Sequence, residues 1–254
     1  MDATAVVTGA AGDIGRAIVE RLLGDGYAVE GWDRDASRLA ENDAAFADQG
    51  YASRCVDLLD MSAVADASAA ARDYPVRLLV NNAGGVTDAV TLKTAGEADF
   101  QRDLDLNLTA AWRCLDRLRN DLSGGGAVVN VASINGMGVY GFPGYSAAKA
   151  GLLHLTRFAA VELGKMGIRV NAVAPGTVRT KAWDSRLEND PALFDKIADW
   201  YPLKRICEPA DVAAAVAFLA GDDARMITGV ALPVDGGLTA GLDRLASDLC
   251  QAEI

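Results

Sequence analysis

Histidine is nearly absent from this chain, whose 254 residues include one, His154. A catalytic triad built on imidazole, or a metal held by several imidazoles, needs more, so no metal site is expected. His154 is assigned to packing or surface. The four cysteines, Cys55, Cys114, Cys207 and Cys250, are scattered without a Cys-x-x-Cys pair. That argues against a disulfide framework or a zinc site and leaves reduced thiols. No run of Lys and Arg occurs and the formal net charge is −11, which argues against nucleic acid or an anionic membrane surface as partner. Ala3-Thr4-Ala5-Val6-Val7 follows Met1-Asp2 with no basic region before it, and no window has the apolar length of a membrane span. Neither a secretory signal nor a transmembrane helix is expected, and a cytoplasmic location is. A small molecule is the partner these absences leave.

Apolar residues make up 51% of the chain, enough for a large core. Short apolar runs alternate with helical patterns from end to end. Ala3 to Thr8 predicts a strand, followed by the small-residue turn Thr8-Gly9-Ala10-Ala11-Gly12-Asp13-Ile14-Gly15 and a helix carrying Ile18, Leu22 and Leu23. Strand, glycine turn and helix form the context in which backbone approaches a pyrophosphate closely and a helix N-terminus offers free N–H groups. A tight structural turn would also use these glycines. Tyr27 to Trp32 predicts the second strand, ending at Asp33, whose carboxylate is placed to accept hydrogen bonds from a ribose diol. Asp33 and Asp13 together favour NAD over NADP, with Arg34 as the counter-signal, since a guanidinium there could hold a 2′-phosphate. Tyr51 to Asp57 predicts strand three, with Asp57 and Leu58 beside an adenine, and Met61 to about Asp73 a helix. Arg77 to Val80 predicts strand four, opening into Asn81-Asn82-Ala83-Gly84-Gly85.

Further on, one long helix is expected from Glu97 to Leu122 with Asn107 in its middle, then a strand from Ala127 to Val131 with Ser133 just beyond it. The next helix opens at Pro143 and carries Tyr145 and Lys149, which share a face at i and i+4. An ammonium roughly 4 Å from a phenolate, at an effective dielectric near 20, is worth about 4 kcal/mol, or about three pKa units. A tyrosine so placed could take a proton from an alcohol near neutral pH. Taken alone, the pair reads more readily as a helix-surface Tyr and Lys that happen to be neighbours. Ile168 to Val173 predicts strand six and is followed by Pro175-Gly176-Thr177-Val178-Arg179-Thr180. The segment 181–205, with Trp183, Arg186, Phe194 and Trp200, reads as a helical excursion that could cover a substrate. Pro209 opens a helix, Ala231 to Val234 is the last strand, and 238–254 is a weakly helical tail. The alternation predicts one doubly wound α/β domain over residues 1–254.

In order and spacing, these residues resemble the short-chain dehydrogenase/reductase family from Thr8 to Gly237. The likeness rests on the glycine turn, Asn81-Asn82-Ala83-Gly84, Asn107, Ser133, Tyr145-x-x-x-Lys149 and Pro175-Gly176. It implies a single Rossmann-like domain of ordinary length with seven parallel strands in the order 3-2-1-4-5-6-7, and a homotetramer. Tyr145 would be the catalytic acid/base, Lys149 would lower its pKa and hold the nicotinamide ribose, and Ser133 would bind the substrate oxygen. Asn107 would bend its helix and seat a water linking Lys149 to solvent. Gly9, Gly12, Asp13, Ile14, Gly15, Asp33, Asp57 and Leu58 would line the cofactor site with Asn82, Ala83, Gly84, Pro175, Gly176, Val178 and Thr180, while Asn81 would clamp strands.

The activity implied is NAD-dependent interconversion of a secondary alcohol (sugar, polyol, cyclic or hydroxy-acid type) and its ketone. Tyr140, Trp183, Arg186 and Trp200 are candidates to face substrate, and Arg179 or Arg186 could pair with a carboxylate or sulfonate. One alternative is a 3-oxoacyl-carrier-protein reductase, whose docking arginines would fall at Gly124 and Met166 and are missing. Another is a dinucleotide-sensing module that turns over nothing, for which a Ser/Tyr/Lys set has no use.

Overall fold

The computed structural model describes residues 1–70, 72–86 and 90–252. Its centre is a seven-stranded sheet in the order β3-β2-β1-β4-β5-β6-β7, in which every neighbouring pair is parallel. The strands are β1 Thr4–Thr8, β2 Ala28–Asp33, β3 Tyr51–Cys55, β4 Val76–Asn81, β5 Ala127–Val131, β6 Arg169–Pro175 and β7 Ala231–Val234. Helices α1 Asp13–Gly24, α2 Ala36–Ala45 and α3 Met61–Ala69 occupy the connections of the first half. The last two residues of the expected 238–254 tail lie outside the described residues, and within the rest of it Asp243–Cys250 forms α10.

The continuous apolar runs of the strands are explained by burial on both faces of the sheet. Successive residues of β1 and β4 go to opposite sides. Ala5, Val7, Leu78 and Val80 pack with Ile18, Leu22, Val216 and Leu219, whereas Val6 and Leu79 pack with Trp32, Leu115, Leu118 and Ile168. Helices α1 and α9 (Pro209–Ala220) cover the first face.

The helix expected over 97–122 is interrupted. It runs as α4 Glu97–Leu104, a π-helical turn Asp105–Thr109 and α5 Ala110–Leu118. A π turn inserts one residue into the helical ladder and turns side chains off the regular face. It lies on Asn107, whose Nδ2 donates to the Asp103 and Gly85 carbonyls at 3.0 Å each while its Oδ1 accepts from Gly85 N at 2.8 Å. The helix after β3 ends at Ala69, short of the expected Asp73.

Polar groups buried in this core are tied to one another. Asn81 Nδ2 donates to Asn130 Oδ1 at 2.9 Å, and Asn130 Nδ2 donates to Thr156 Oγ1 at 2.9 Å, so β4, β5 and the helix beneath them are pinned in register. Glu30 on β2 is 5% exposed. Its Oε1 accepts from Trp32 Nε1 at 2.6 Å, Arg54 Nε at 2.8 Å and Arg72 Nη2 at 3.1 Å. Removing a partner from a buried ion pair leaves an uncompensated charge, which costs about 3–5 kcal/mol. Glu30→Ala is therefore expected to lower the unfolding free energy by about that amount in urea titrations with an unchanged m-value; a loss within about 0.5 kcal/mol, as at ordinary surface sites, would show that the Arg72 guanidinium is not held by this carboxylate.

Candidate active site

The C-terminal ends of the strands open into a cleft of about 1200 Å³. Two chain segments meet at its floor. Thr8 Oγ1 accepts from the backbone N–H groups of Asn82 at 3.0 Å and Ala83 at 3.1 Å, and Asn82 Nδ2 donates to the carbonyls of Thr8 and Gly9 at 3.0 and 3.1 Å. The ends of β1 and β4 are thus tied where the strand order reverses, the position at which open α/β sheets bind ligands.

The glycine turn fits a dinucleotide. Gly9 has φ +65°, and a Cβ there would lie 2.8 Å from Ala83 Cα. A Cβ on Gly15 would land on the Gly9 carbonyl, so the turn can pass under α1 only with glycine at both places. Helix α1 starts from Gly12, which has no side chain to cap it, leaving first-turn N–H groups and the positive dipole end for a pyrophosphate. Asp33 accepts from Ala11 N at 3.1 Å through Oδ2 and from Asp35 N at 3.0 Å through Oδ1, fixing its carboxylate against the turn. The remaining lone pairs are available to a ribose diol. Gly12, Asp13, Ile14, Asp57, Leu58, Asn82, Ala83 and Gly84 line this half of the cleft. Pro175, Gly176, Val178 and Thr180 line it from β6.

Asp13, whose negative charge the sequence sets beside that of Asp33, is engaged by two partners. Its Oδ1 pairs with Arg38 Nη2 at 3.3 Å, and its Oδ2 accepts from Lys181 N at 2.7 Å. It thereby ties the glycine turn to the start of the segment over the cleft. The sequence reading missed Arg38. Asp35 N-caps α2 by accepting from Arg38 N at 3.1 Å, and that capping aspartate was the signal that could have placed Arg38 in the first turn, beside the cleft.

The reactive end is built on β5 and α6 (Pro143–Leu163). Ser133, 7% exposed, follows β5 directly. Its Oγ accepts from Asn135 N at 3.2 Å and donates to Asn135 Oδ1 at 3.2 Å, and it borders the cleft beside the Tyr145 phenol, whose pKa it helps to lower. Lys149 is 3% exposed, its Nζ donating to the Val131 carbonyl at 2.8 Å and lying 5.6 Å from the Tyr145 ring centroid. Ser133, Tyr145 and Lys149 share the cleft. Asn107 stands behind it, bordering Gly84: a Cβ on that glycine would lie 2.6 Å from Asn107 Oδ1 and 3.2 Å from Lys149 Nζ.

The electrostatics depart from the expected Tyr–Lys coupling. Burial raises the Tyr145 pKa above the ordinary phenol value, the Ser133 hydroxyl opposes this, and the Asp103 charge adds to it. Burial also lowers Lys149 to about 8. Desolvation disfavours both charged forms and outweighs their mutual attraction, because the ammonium that would stabilise a phenolate is itself poorly solvated.

The segment 181–205 packs as a small layer over the cleft mouth. It contains a 3₁₀ turn at Lys181–Trp183, α7 Asp184–Asn189 and α8 Leu193–Ala198, held around Phe194, Tyr201 and Ile206. Tyr201 OH accepts from Thr177 N at 2.7 Å, locking the layer to the end of β6. Tyr140, Trp183, Arg186 and Trp200, each a candidate from sequence, all line the cleft. Arg179 pairs instead with Glu208 at 2.9 Å and stacks on Phe194. Phe142, Lys181, Leu238 and Leu242 also line it without having been singled out from sequence. Phe142 caps α6 at φ +55°, a left-handed conformation that costs a bulky residue about 1–2 kcal/mol.

The chain belongs to the short-chain dehydrogenase/reductase family: a family model described as enoyl-(acyl carrier protein) reductase matches residues 9–239. Among curated relatives, an uncharacterized oxidoreductase of Schizosaccharomyces pombe is 38% identical, with 96% of this chain and 93% of that protein covered. A 2-(R)-hydroxypropyl-CoM dehydrogenase of Xanthobacter autotrophicus is 37% identical, covering 94% and 100%. A 3-oxoacyl-[acyl-carrier-protein] reductase, MabA, of Mycobacterium bovis is 34% identical, covering 93% and 92%. A solved short-chain oxidoreductase from Burkholderia thailandensis superposes with TM-score 0.93 at 42% identity, covering 99% and 98%. A variant of actinorhodin polyketide ketoreductase with NADPH does so at 0.87 and 32%, covering 93% and 97%. The protein is an oxidoreductase of this family, and a nicotinamide dinucleotide is its cofactor class. Among the described residues no helix is long and apolar enough to cross a membrane.

The Lys149 shift makes a prediction about stability. A lysine whose folded pKa is about 8 carries its burial penalty in full at pH 7 and sheds it as pH rises toward the unfolded value of 10.5. Relative to Lys149→Met, the wild-type protein is expected to gain about 2–3 kcal/mol of unfolding free energy between pH 7 and pH 10. Above that, Tyr145, raised in the folded state, acts in the opposite direction. Denaturant unfolding of both proteins at these two pH values checks it; parallel pH profiles would mean that Lys149 is solvated as an ordinary lysine.

Proposed function

We propose that this protein interconverts a secondary alcohol and its ketone with NAD, using Tyr145 as the proton-transferring group. The observation that carries the reading is the convergence of Ser133, Tyr145 and buried Lys149 on one wall of the strand-end cleft. When bound, the nicotinamide supplies the carbon that accepts or donates hydride. Ser133 and Tyr145 hold the substrate oxygen between two hydroxyls, fixing the carbinol carbon. In oxidation the O–H proton passes to the Tyr145 phenolate; in reduction the neutral phenol donates it to the developing alkoxide. Lys149 carries charge near the phenol, and Asn107 holds the Gly84-Gly85 backbone around it.

The preference for NAD rests on Asp33, whose carboxylate would accept from the ribose hydroxyls and repel a 2′-phosphate. Arg34 and Arg38 line the same end, and Arg38 is engaged by Asp13. The reductase named among the relatives supports the same carbonyl chemistry. Docking of a carrier protein is not favoured, because Gly124 and Met166, hydrogen-bonded to each other at 2.9 Å, provide no cation. The same proposal includes a cytoplasmic location and a homotetramer. The exposed Trp112 on α5 and Phe158 and Val161 on α6 are apolar surface that such an assembly would cover.

Three outcomes are expected from NADH absorbance with secondary alcohols. Tyr145→Phe loses about 1000-fold in kcat/KM, the scale of general acid–base catalysis. Because the Tyr145 pKa is raised, alcohol oxidation climbs with pH into the alkaline range while ketone reduction is favoured at lower pH. Asp33→Ala shifts the kcat/KM ratio for NAD over NADP toward NADP by roughly 10–100-fold, the size of charge-assisted hydrogen bonds. Full turnover in Tyr145→Phe would remove the mechanism, and an unmoved ratio in Asp33→Ala would remove the basis for NAD.

A further inference from the structure

We infer that Arg186 is an anion-recognising residue in the substrate half of the cleft, and that the alcohol used is a hydroxy acid, bearing a carboxylate or the chemically similar sulfonate. The inference rests on the dehydrogenase reading above and narrows its substrate class.

Three observations carry it. Arg186 lines the cleft and is half-buried there, with its guanidinium 4.8 Å from the Trp183 ring centroid and 5.7 Å from that of Phe142. Two aromatic faces orient the planar cation and leave its N–H edge for a ligand. Among the described residues the guanidinium has neither a hydrogen bond nor an ion pair, whereas Arg179, the other arginine of this region, is neutralised by Glu208. A half-buried guanidinium without an acceptor is an unfavourable arrangement that a carboxylate, matched to it in a bidentate fork, would relieve.

The second observation is how charge divides along the cleft. Its described carboxylates, Asp13, Asp33, Asp35 and Asp57, all belong to the β1–β3 end. Around Tyr145 the wall is Tyr140, Phe142, Trp183, Trp200, Leu238 and Leu242 with Ser133 and Asn135, and no acid lines it among the described residues, Asp103, whose charge reaches Tyr145, being buried outside the lining. Among the described residues Arg186 is the lid cation of this aromatic wall, apart from Lys149 buried behind Tyr145; the cleft's other lid cation, Lys181, adjoins the glycine turn through its backbone N–H to Asp13. A sugar or polyol would call for several hydrogen-bonding side chains, and this wall has few. A short apolar chain ending in one oxyanion fits it.

The third is Phe142. A bulky residue is retained at a left-handed position immediately before Pro143, where glycine would be relaxed, and its ring is one of the two that flank the guanidinium. The strained residue at the entry to the Tyr145 helix is thereby linked to the placement of the cation.

The test compares 3-hydroxybutyrate with its methyl ester, which differ in one charge, in two readouts. Kinetically, the acid-to-ester ratio of kcat/KM with NAD is expected to be about 100 and to collapse in Arg186→Gln, chiefly through KM. At equilibrium, without cofactor, tryptophan fluorescence reports binding beside Trp183: the acid is expected to bind about 100-fold more tightly than the ester, with selectivity lost in Arg186→Gln and partly regained in Arg186→Lys. Equal use and equal binding of acid and ester, no saturable binding of the acid, or an acid-to-ester ratio unchanged in Arg186→Gln would each overturn the inference. 2-Butanol separates it from the function proposed above. If that alcohol is oxidised in a Tyr145-dependent way with no preference for the acid, the dehydrogenase reading stands and the anion site falls. If the acid binds selectively through Arg186 and no alcohol is turned over, the anion site stands and the dehydrogenase reading falls.

Discussion

The cleft depends on a close approach of two strand ends. Parallel strands deliver their C-termini to one edge of the sheet, and between β1 and β4 the chain leaves in opposite directions, so a crevice must form there. The Thr8 hydroxyl and the Asn82 carboxamide bridge the two ends with four hydrogen bonds, at 3.0 to 3.1 Å. Gly9 permits the approach because a Cβ would meet Ala83. From this tie the glycine turn is aimed under α1 on one side, and Ala83-Gly84-Gly85 is led past Asn107 and Lys149 on the other. Cofactor groove and reactive groups are consequently two consequences of one backbone contact, which is why small residues on both segments matter more than any single polar side chain there.

Around Tyr145, burial sets the chemistry. The phenol, Ser133 and Lys149 lie within the protein where each charge is costly, and the resulting shifts run toward neutral forms in both ionisable groups. The direct Tyr–Lys attraction that i and i+4 spacing suggests has its geometry, with Lys149 Nζ 5.6 Å from the Tyr145 ring centroid, but burial disfavours the charged form of both groups and opposes it. A phenol held neutral is the form that can donate a proton, and its conjugate base, the form that can accept one, becomes populated only as pH rises.

Much of this architecture was legible in the chain. The strands β5 and β7 begin and end where read, because Gly124-Gly125-Gly126 and Asp235-Gly236 punctuate apolar runs too short for helices. The cleft-lining glycines and strand-end residues, among them Gly9, Gly12, Asp33, Asn82, Ser133 and Pro175, were legible because they recur at the one edge to which a parallel sheet brings them. Other features depend on tertiary contact. The π turn at Asn107 is held by bonds to Gly85 across the cleft, and local helical pattern shows only an unbroken helix. The Asp13–Lys181 bond joins residues far apart in the chain, so the sequence around Asp13 shows its charge and not its partner. Arg179 and Arg186 were indistinguishable until Glu208, at the start of α9, was seen to take one of them.

That last difference bears on how an anion would be recognised. With a net charge of −11 the protein repels anions at long range, and screening confines even this to about 8 Å in physiological salt. Electrostatic steering therefore cannot favour a hydroxy acid here. Selection has to arise after entry, where the aromatic wall lowers the local dielectric and a single oriented guanidinium is worth more than it is in water. Such a site discriminates through the lifetime of the complex, leaving the rate of encounter slow, and it places the substrate's charged end by contact with Arg186 while Ser133 and Tyr145 hold the other. Two fixed points define a line and leave rotation about it free, so Arg186 sets the axis of the substrate while the aromatic wall, as a third contact, has to set which face of the carbinol carbon is presented.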